Sequence, residues 1–412
     1  MRRVVITGLG VVSPLGRGVE TLAAAIGENR SGVRRMQGWE RYIGLRSLVA
    51  APAELRDEKE IPRQQRRSMG RMSLFAAQAA GDALRDAGLD PATAASAFGG
   101  RLGCVVGSTT GSAISLNETF EALLPDRDIS KLTSMMFFHC VSHSASMNVA
   151  QYLGISGCVL ATSAACASAC QAIGTGFDLI RAGRQDVMLC GGAEELHPTV
   201  TGSFDMLFAT STRHNDSPSM TPRPFDRDRD GLVCGEGAGL LLLEEREQAL
   251  RRGARIHAEL VGYHTCNSGS HVSESSQPAM VACMRQALDD ARVKPAEVDT
   301  VNAHATATMQ GDREEAAAIR EVFGDAPSVS SLKGHLGHTL GASAAIELAA
   351  ALVGARKGLV YPTRNLEVVA PDCGGIRLVM GAPERRPVRL LVKNSFAFGG
   401  ISAVLVCRID GE

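Results

Sequence analysis

The segment Cys158-Val-Leu-Ala-Thr-Ser-Ala-Ala-Cys-Ala-Ser-Ala169 passes from a short apolar run into small residues. The run Cys158–Ala161 is typical of a strand, and the stretch from about Ala167 to Ala182 has the composition of a helix. Cys166 therefore lies at a predicted strand-to-helix turn, beside unpaired N–H groups of the first helical turn. Because those donors and the helix dipole favour a thiolate, we expect a lowered pKa for Cys166. A buried structural cysteine is the alternative interpretation.

Strand-like and helix-like stretches alternate on both sides of Cys166. Runs of β-branched residues are separated by alanine-rich stretches of helical period, which indicates an α/β fold with a sheet buried on both faces. The first run is expected to be a buried strand that enters a loop at Gly8 and Gly10. The stretches of the first half are Val4–Thr7, Arg71–Ala87, Leu102–Gly107, Ala165–Ala182 and Val187–Gly191.

A second series of such stretches follows residue 254. Arg3–Gly10 reads RVVITGLG, and Arg255–Gly262 reads RIHAELVG. This weak echo predicts a duplicated α/β unit, with an N-terminal half at residues 1–254 and a C-terminal half at residues 255–412. The later stretches are a helix at Gln277–Ala291, a strand ending in a polar loop at Thr300–Thr308, and a glycine-rich turn with an alanine-rich helix at Gly334–Val353.

Two polar stretches without periodicity are predicted to be loops. Ala50–Gln65 contains two prolines and many charges, and it is expected to be a surface loop. Ser211–Arg229 is rich in Asp, Arg and Pro, and it is expected to be a second polar loop.

The composition excludes several classes of protein. Hydrophobic residues make up 45 % of the 412 residues and charged residues 21 %, so a large core is expected and disorder is not. The formal net charge of −1 gives no overall attraction to nucleic acid or to an anionic membrane. Eleven scattered cysteines without a C-x-x-C pair argue against a disulfide framework. No apolar run suits a membrane span, and we expect a cytoplasmic protein.

Two further segments carry histidines in polar surroundings. Asn302-Ala-His-Ala-Thr-Ala-Thr308 follows a predicted strand, and His304 could be a functional or an ordinary loop histidine. Ser330-Ser-Leu-Lys-Gly-His-Leu-Gly-His-Thr-Leu-Gly341 contains His335 and His338, but the sequence offers no matching cluster of metal ligands, so no metal is expected. Lys333 should disfavour the imidazolium form of His338 and keep this histidine neutral.

The segment Asn394-Ser-Phe-Ala-Phe-Gly-Gly400 precedes the last predicted strand, Ser402–Arg408. Paired glycines after an aromatic residue allow a tight turn whose backbone N–H groups could point at a developing oxyanion. A plain glycine turn is the alternative.

Together these segments resemble one family, the decarboxylating β-ketoacyl-acyl-carrier-protein synthases of the thiolase-like superfamily. The resemblance covers essentially the whole chain and includes two specific motifs, Pro224-Phe-Asp-Arg-Asp-Arg-Asp-Gly231 and Gly235-Glu-Gly-Ala-Gly239. Gly183–Glu195 and Ser211-Thr212 are most similar to the synthase I branch. The resemblance implies a five-layered α-β-α-β-α fold of two similar halves around a shared active site.

The resemblance also implies a role for each candidate residue. Cys166 would carry the acyl group as a thioester, while His304 and His338 would hold the thioester oxygen of malonyl-carrier protein during decarboxylation. The backbone N–H groups of Cys166 and Phe398 would form the oxyanion hole, and Phe398 would gate the acyl tunnel. The supporting residues would be the ion pair of Lys333 and Glu347, the neighbouring Asp312 and Glu315, and the pantetheine-binding Thr306 and Thr308.

No metal or redox cofactor is implied, because the carrier protein brings its own phosphopantetheine arm. The expected partners are an acyl carrier protein, malonyl-carrier protein and a second subunit, which would form a homodimer or, alternatively, a heterodimer with a chain-length subunit.

The acyl-pocket candidates are Thr110, Met135, Phe137, Phe138, Phe204 and Met206. The candidate basic patch for an acidic carrier protein, or otherwise a solvated helix face, is Arg63, Arg66, Arg67 and Arg71, with Arg127 and Lys131.

Some positions depart from the family pattern. Ala305, Ala307 and Met309 replace the usual Gly, Ser and Pro, and Ala397 replaces a Gly in the gating loop. These departures leave two interpretations of the pathway: housekeeping fatty-acid elongation, or a specialised polyketide-like or unusual-lipid pathway. A non-catalytic chain-length partner subunit is a third, and the presence of Cys166 argues against it.

Overall fold

The computed structural model of the protein describes residues 1–124 and 126–409, and it has an α/β architecture. No helix within these two ranges is long and apolar enough to cross a membrane. The strands are β1 Val4–Ser13, β2 Gly16–Arg17, β3 Arg34–Arg35, β4 Val49–Ala50, β5 Leu102–Gly107, β6 Val159–Leu160, β7 Val187–Glu194, β8 Gly237–Glu245, β9 Ala258–Asn267, β10 Thr300–Asn302, β11 Ser328–Ser330, β12 Leu359–Val360, β13 Arg377–Leu378, β14 Glu384–Arg385, β15 Leu390–Phe396 and β16 Ile401–Arg408. The helices are α1 Val19–Gly27, α2 Arg63–Arg66, α3 Arg71–Asp86, α4 Ala94–Phe98, α5 Ala113–Leu123, α6 Ser134–Cys140, α7 Ser144–Leu153, α8 Ser168–Arg181, α9 Pro198–Met206, α10 Arg246–Arg251, α11 Gln277–Ala291, α12 Met309–Phe323, α13 Lys333–Leu336 and α14 Ser343–Arg356.

Two groups of strands have the same topology. In the first group the order is β6-β5-β7-β8-β1, and in the second it is β13-β11-β10-β15-β16-β9. In both, parallel strands are followed by two antiparallel ones, so that β5, β7, β8 and β1 correspond to β10, β15, β16 and β9. The groups join where β1 pairs with β9, with Val4 opposite Leu260. The predicted duplication is confirmed at the level of the fold.

Helices cover both groups of strands and separate them. On one outer face α3 packs against β1 and β8, and on the other α11 packs against β9 and β16. Between the groups lie α8 and α14, which contact strands of both halves and belong to one continuous hydrophobic cluster with them. The resulting order of helix, sheet, helix, sheet, helix confirms the predicted five-layered architecture.

The glycines of β1 differ from the prediction, which had the strand end in a loop at Gly8. The strand continues through Gly8 and Gly10 to Ser13, with a bulge between Ile6 and Gly8. A Cβ on Gly8 would collide with the carbonyl oxygen of Ala83, and one on Gly10 with that of Ala79, both on α3. The predicted loop was wrong because these glycines permit close helix packing and do not form a turn.

The segment 211–229, predicted to be a polar loop, is irregular, and its residues 221–226 are buried. The carboxylate of Asp226 lies in the interior and accepts hydrogen bonds from the backbone N–H groups of Glu367 and Val368, at 2.8 and 3.0 Å. The buried Arg223 donates to the same carboxylate at 3.1 Å. The charges of this motif therefore tie the segment to the C-terminal half.

Replacement of Gly10 by alanine should lower the free energy of unfolding by about 1–3 kcal/mol, because the new Cβ would force α3 away from β1. Urea denaturation followed by circular dichroism measures this change. Gly100→Ala is the control, since a Cβ at Gly100 meets no atom within 4 Å. Equal stabilities of the two variants would show that α3 can shift at little cost.

Candidate active site

Cys166, His304 and His338 meet in one buried cavity. The Cys166 sulfur and one ring nitrogen of each histidine all lie within 4.8 Å of one another. The two imidazole rings are 5.2 Å apart between centroids and nearly perpendicular, at 81°. The cavity has a volume of about 50 Å³, and its lining also includes Thr306 and Phe398. Residues from distant parts of the sequence thus converge on a single thiol.

A strained turn presents Cys166 to the cavity. Ala165 has a φ of 46°, which a residue with a Cβ adopts only when its surroundings enforce it. The hydroxyl of Ser168 supplies that restraint, since it accepts from the Ala164 N–H at 2.9 Å and donates to the Ala165 carbonyl at 2.6 Å. Helix α8 begins at Ser168, so Cys166 lies just before its first turn, as the sequence predicted.

The expected lowering of the Cys166 pKa was wrong. Burial raises the pKa of this thiol to about 12, because the surroundings exclude the water that would solvate a thiolate. The cation of Lys333 opposes this effect and the nearby Glu194 adds to it. The thiol is therefore protonated at rest near neutral pH.

Helix α12 shapes the loop that carries His304. The carboxylate of Glu315 accepts from the backbone N–H groups of His304 and Ala305, at 2.8 and 2.6 Å. One turn earlier, Asp312 accepts from the N–H of Ala307 at 3.0 Å. Ala307 has a φ of 72°, so this bond holds the loop in a conformation that alanine rarely adopts. Both carboxylates were predicted to support the site, and both bind its backbone.

The loop between α13 and α14 carries His338 and fixes it to the N-terminal half. Its backbone N–H donates to the carbonyl of Val233 at 2.7 Å, and its carbonyl accepts from the N–H of Gly235 at 2.8 Å. Burial first, and the charge of Lys333 second, hold the pKa values of His304 and His338 well below the usual histidine range. Both imidazoles are neutral near pH 7, as Lys333 led us to expect for His338.

Lys333 lies in a buried cluster of three charges. Its Nζ approaches Glu347 Oε1 to 2.7 Å, an ion-pair contact without hydrogen-bond alignment, and Lys393 Nζ donates to Glu347 Oε2 at 2.6 Å. The predicted Lys333–Glu347 pair is therefore present, but Lys393 was missed. A lysine directly after the apolar run Leu390–Val392 is the sequence signal that could have revealed it.

Glu194, at the end of β7, is a second buried group that sequence reasoning missed. Its carboxylate accepts from the backbone N–H groups of Thr109 and Gly341, at 2.8 and 2.9 Å. Burial raises the pKa of Glu194 to about 7. This carboxyl group joins the loop after β5 to the loop that follows His338.

His335, the other histidine of the Lys333–Gly341 segment, lies outside the cavity lining. Its ring nitrogens contact the carbonyl oxygens of Arg30 and Pro362, each at 3.1 Å. Burial lowers its pKa to about 4. We assign it a structural role between α1 and the segment after α14.

The hairpin loop between β15 and β16 closes one side of the cavity. Phe398 projects from this loop and lies 5.9 Å from the ring of Phe204, measured between centroids. The hydroxyls of Thr306 and Thr308 are 3.1 Å apart, and both residues line the same cavity. The residues predicted as gate and as pantetheine ligands thus border the same space as Cys166.

A groove between α5 and α9 begins at Phe204. It has a volume of about 380 Å³, and the surface of its walls is mainly carbon. Of the predicted acyl-pocket residues only Thr110 and Phe204 line it. Met135, Phe137, Phe138 and Met206 do not, and Phe137 and Met206 are 65 % and 63 % exposed on this chain. Residues not predicted are Thr109, Ala113, Leu116, Asn117, Phe120, Thr199, Val200 and Ser203.

The predicted basic patch is smaller than expected. Arg71 is not a free surface cation, because its guanidinium pairs with the buried Glu236 at 2.7 Å. Arg66 donates to the carbonyl of Ile61 at 3.0 Å and contacts Glu58 at 3.2 Å, and Lys131 pairs with Asp126 at 2.5 Å. The exposed arginines of the predicted set are Arg63, Arg67 and Arg127.

Glu347→Gln should destabilise the protein by about 3–5 kcal/mol, because it leaves two buried ammonium groups without their shared anion. Urea denaturation measures the change. The control is Glu20→Gln, which removes an exposed pair with Lys357 and should cost less than about 1 kcal/mol. A Glu347→Gln variant as stable as its control would show that the charge of Glu347 is dispensable.

Comparison with known proteins extends over the whole chain. The Beta-ketoacyl synthase N-terminal domain model matches residues 1–249, and the C-terminal domain model matches residues 257–367. The 3-oxoacyl-[acyl-carrier-protein] synthase 1 of Escherichia coli (strain K12) is 35 % identical over 409 residues, which cover 99 % of each chain.

Solved structures agree with this relationship. A beta-ketoacyl synthase from Burkholderia phymatum STM815 superposes with a TM-score of 0.95 at 39 % identity and covers 100 % of both chains. A type II polyketide ketosynthase, solved in complex with its acyl-carrier protein, has a TM-score of 0.89 at 33 % identity and covers 99 % of both chains. The chain therefore belongs to the β-ketoacyl synthase family and is an acyltransferase of the β-ketoacyl-acyl-carrier-protein synthase class.

Proposed function

We propose that the protein extends an acyl chain by two carbons, in a decarboxylative condensation carried out by Cys166, His304 and His338. The observation that carries this proposal is the convergence of the three side chains within 4.8 Å of one another. A thiol supplies the acyl acceptor, and two neutral imidazoles supply hydrogen-bond donors for a developing oxyanion. No resident cofactor is needed for either step.

In the first step the Cys166 sulfur attacks the thioester carbonyl of an acyl-carrier protein. The new C–S bond forms first and gives a tetrahedral oxyanion. Collapse of this oxyanion breaks the bond to the carrier sulfur, and the Cys166 proton passes to the leaving carrier thiolate. The raised pKa of Cys166 means that the proton leaves as the bond forms, since little thiolate exists beforehand. The backbone N–H groups of Cys166 and Phe398 would stabilise the tetrahedral oxyanion.

In the second step malonyl-carrier protein binds with its thioester oxygen between His304 and His338. Loss of carbon dioxide leaves an enolate on this oxygen, and its carbon attacks the acyl-Cys166 carbonyl. The C–S bond to Cys166 then breaks, which releases the β-ketoacyl-carrier protein, and the Cys166 thiolate takes up a proton from solvent. Neutral imidazoles suit this task, because each can donate one N–H while burial strengthens the hydrogen bond. Thr306 and Thr308 would hold the amides of the pantetheine arm at the entrance.

The groove between α5 and α9 supports a hydrocarbon acyl chain as the substrate. Its walls are mainly carbon, and burial of each methylene is worth about 0.8 kcal/mol. A poly-β-keto chain would bring carbonyl groups to walls whose exposed surface offers few hydrogen-bond donors. We therefore propose a reduced chain, saturated or unsaturated, for the acyl group on Cys166.

A second subunit would cover the exposed apolar surface beside this groove. The last strand of the N-terminal sheet, β6, leaves one edge unpaired within the described chain, and its Val159 and Leu160 are 40 % and 42 % exposed. Phe137 and Met206 extend the apolar surface, and such surfaces mark subunit interfaces. We propose a cytoplasmic homodimer formed through β6, with Met135, Phe137, Phe138 and Met206 reaching the acyl groove only in the assembly.

A panel assay tests the reaction and the chain together. Saturated, polyunsaturated and poly-β-keto acyl-carrier proteins are each mixed with malonyl-carrier protein, and the products are read by intact mass. We expect loading on Cys166 and extension of the hydrocarbon chains only, and no loading of Cys166→Ala. Extension confined to unsaturated chains would identify a specialised pathway, and broad extension of saturated chains would identify fatty-acid elongation. Preferential extension of poly-β-keto chains would contradict the proposed substrate.

The carrier protein is proposed to dock on the exposed arginines at α2. The double variant Arg63→Ala/Arg67→Ala should raise KM for carrier-bound substrate about two- to thirtyfold at unchanged kcat, since each exposed charge pair is worth about 0.2–1 kcal/mol. The effect should shrink as salt is added.

The matched control is Arg251→Ala/Arg255→Ala, which removes two exposed arginines, one at the end of α10 and one between α10 and β9. Strand β8 begins two residues after Gly235, beside His338, and both arginines follow the opposite end of this strand in the chain, after α10 begins. An equal rise in KM for both double variants would point to a nonspecific charge effect and remove the docking proposal.

A further inference from the structure

The three side chains of the cavity form a donor set that suits a borderline-soft metal ion. One thiol sulfur and two imidazole nitrogens are the ligands that zinc takes most often, and here they lie within 4.8 Å of one another. Around a tetrahedral Zn²⁺ such atoms would be about 3.3–3.6 Å apart. Small rotations of the three side chains would therefore close the set around an ion.

The imidazole nitrogens are available for such an ion. Neither ring nitrogen of His338, nor Nδ1 of His304, has a hydrogen-bond partner within residues 1–124 and 126–409. His338 is fully buried, and His304 is only 8 % exposed. Buried polar atoms are normally paired, so a ligand here would gain contacts without breaking any.

The donor atoms that are available favour zinc over calcium or magnesium. The cations of Lys333 and Lys393 face the anions of Glu347 and Glu315, and the carboxyl group of Glu194 lies near Cys166, so the positive charges around the set are offset. The Glu315 oxygens are bound to backbone N–H groups and the Glu347 oxygens to the two lysines, so no carboxylate is free to ligate a hard cation. Sulfur and nitrogen donors select Zn²⁺ and similar ions.

The cavity can admit an ion together with a water molecule. Its volume of about 50 Å³ exceeds the roughly 10–15 Å³ that one water requires. The lining continues from the three side chains past Thr308 to Glu274 and Ser275. The water would complete four-coordination, as it does in open zinc sites.

We propose that Cys166, His304 and His338 bind one Zn²⁺ ion while Cys166 carries no acyl group, and that this ion inhibits the enzyme. Coordination replaces the thiol proton, which leaves to solvent, and occupies the sulfur that would accept the acyl group. Acylation of Cys166 removes the thiolate ligand, so binding of zinc and acylation of Cys166 exclude each other. Because ligating histidines usually need a second hydrogen bond for tight binding, the affinity should be moderate and the inhibition reversible.

Cobalt titration of the whole protein tests the binding without any substrate. Co²⁺ should produce a near-ultraviolet thiolate-to-metal band that saturates at one equivalent and disappears on addition of Zn²⁺. The band should be lost in Cys166→Ala and after alkylation of Cys166, and His338→Ala should weaken binding at least tenfold. Thermal unfolding of each variant checks that it is folded.

Cys266→Ala is the matched control, because Cys266 is a half-buried free thiol outside the cavity lining. It should retain the full band. A band that survives in Cys166→Ala, or no saturable band in the wild type, would overturn the proposed site.

A second arm tests the inhibition and rests on the proposed function. Micromolar Zn²⁺ should abolish acyl loading, a chelator should restore it, and enzyme acylated beforehand should be protected. If the cobalt band forms but loading is unaffected, the inhibitory role is wrong. If no acyl chain loads even without metal, the proposed function fails while the cobalt result still decides the metal site.

Discussion

Helices α8 and α14 are enclosed between two sheets, and the rest of the structure depends on this double burial. A helix with strands on both sides has no solvent-facing stripe, so nearly every position must be small or apolar. In α14 the buried residues run almost without interruption from Ser343 to Ala355, and five of the first eight are Ala or Ser. Glycines on the facing strands extend the same constraint, since a Cβ on Gly239 would press against the backbone of Ile346.

This middle layer also determines where the reactive groups lie. Cys166 immediately precedes α8, and the loop with His338 leads into α14. Because both helices are held between the two sheets, the starts of these helices fix the positions of Cys166 and His338. Glu347 projects from α14 and holds Lys333 and Lys393 on either side of its carboxylate. The duplication has a functional consequence, because the first half supplies the thiol and the second supplies both imidazoles.

Exclusion of water sets the chemistry of the cavity. Burial raises the pKa of Cys166 and lowers those of His304 and His338, so all three are uncharged at rest. The charges that remain lie one layer further out, on Lys333, Glu347 and their neighbours. The uncharged cavity, with paired charges around it, can stabilise the negative charge that develops in either step of the proposed reaction. Its hydrogen-bond donors, the imidazole and backbone N–H groups, are in place before that charge develops.

The sequence by itself determined the α/β class and the duplication, because their signals lie in the local period of consecutive residues. It identified Cys166, His304 and His338 as a set only through the resemblance of its motifs to the β-ketoacyl synthases, since each of these residues alone allowed a structural interpretation. Lys393 and Glu194 escaped notice, since their partners lie far away in the chain. The role of Gly8 and Gly10, the sign of the Cys166 pKa shift and the pairing of Arg71 with Glu236 were decided only by the tertiary structure. All three features depend on contacts with residues from other helices or strands. Such contacts determine burial and charge pairing, and the local sequence does not contain them.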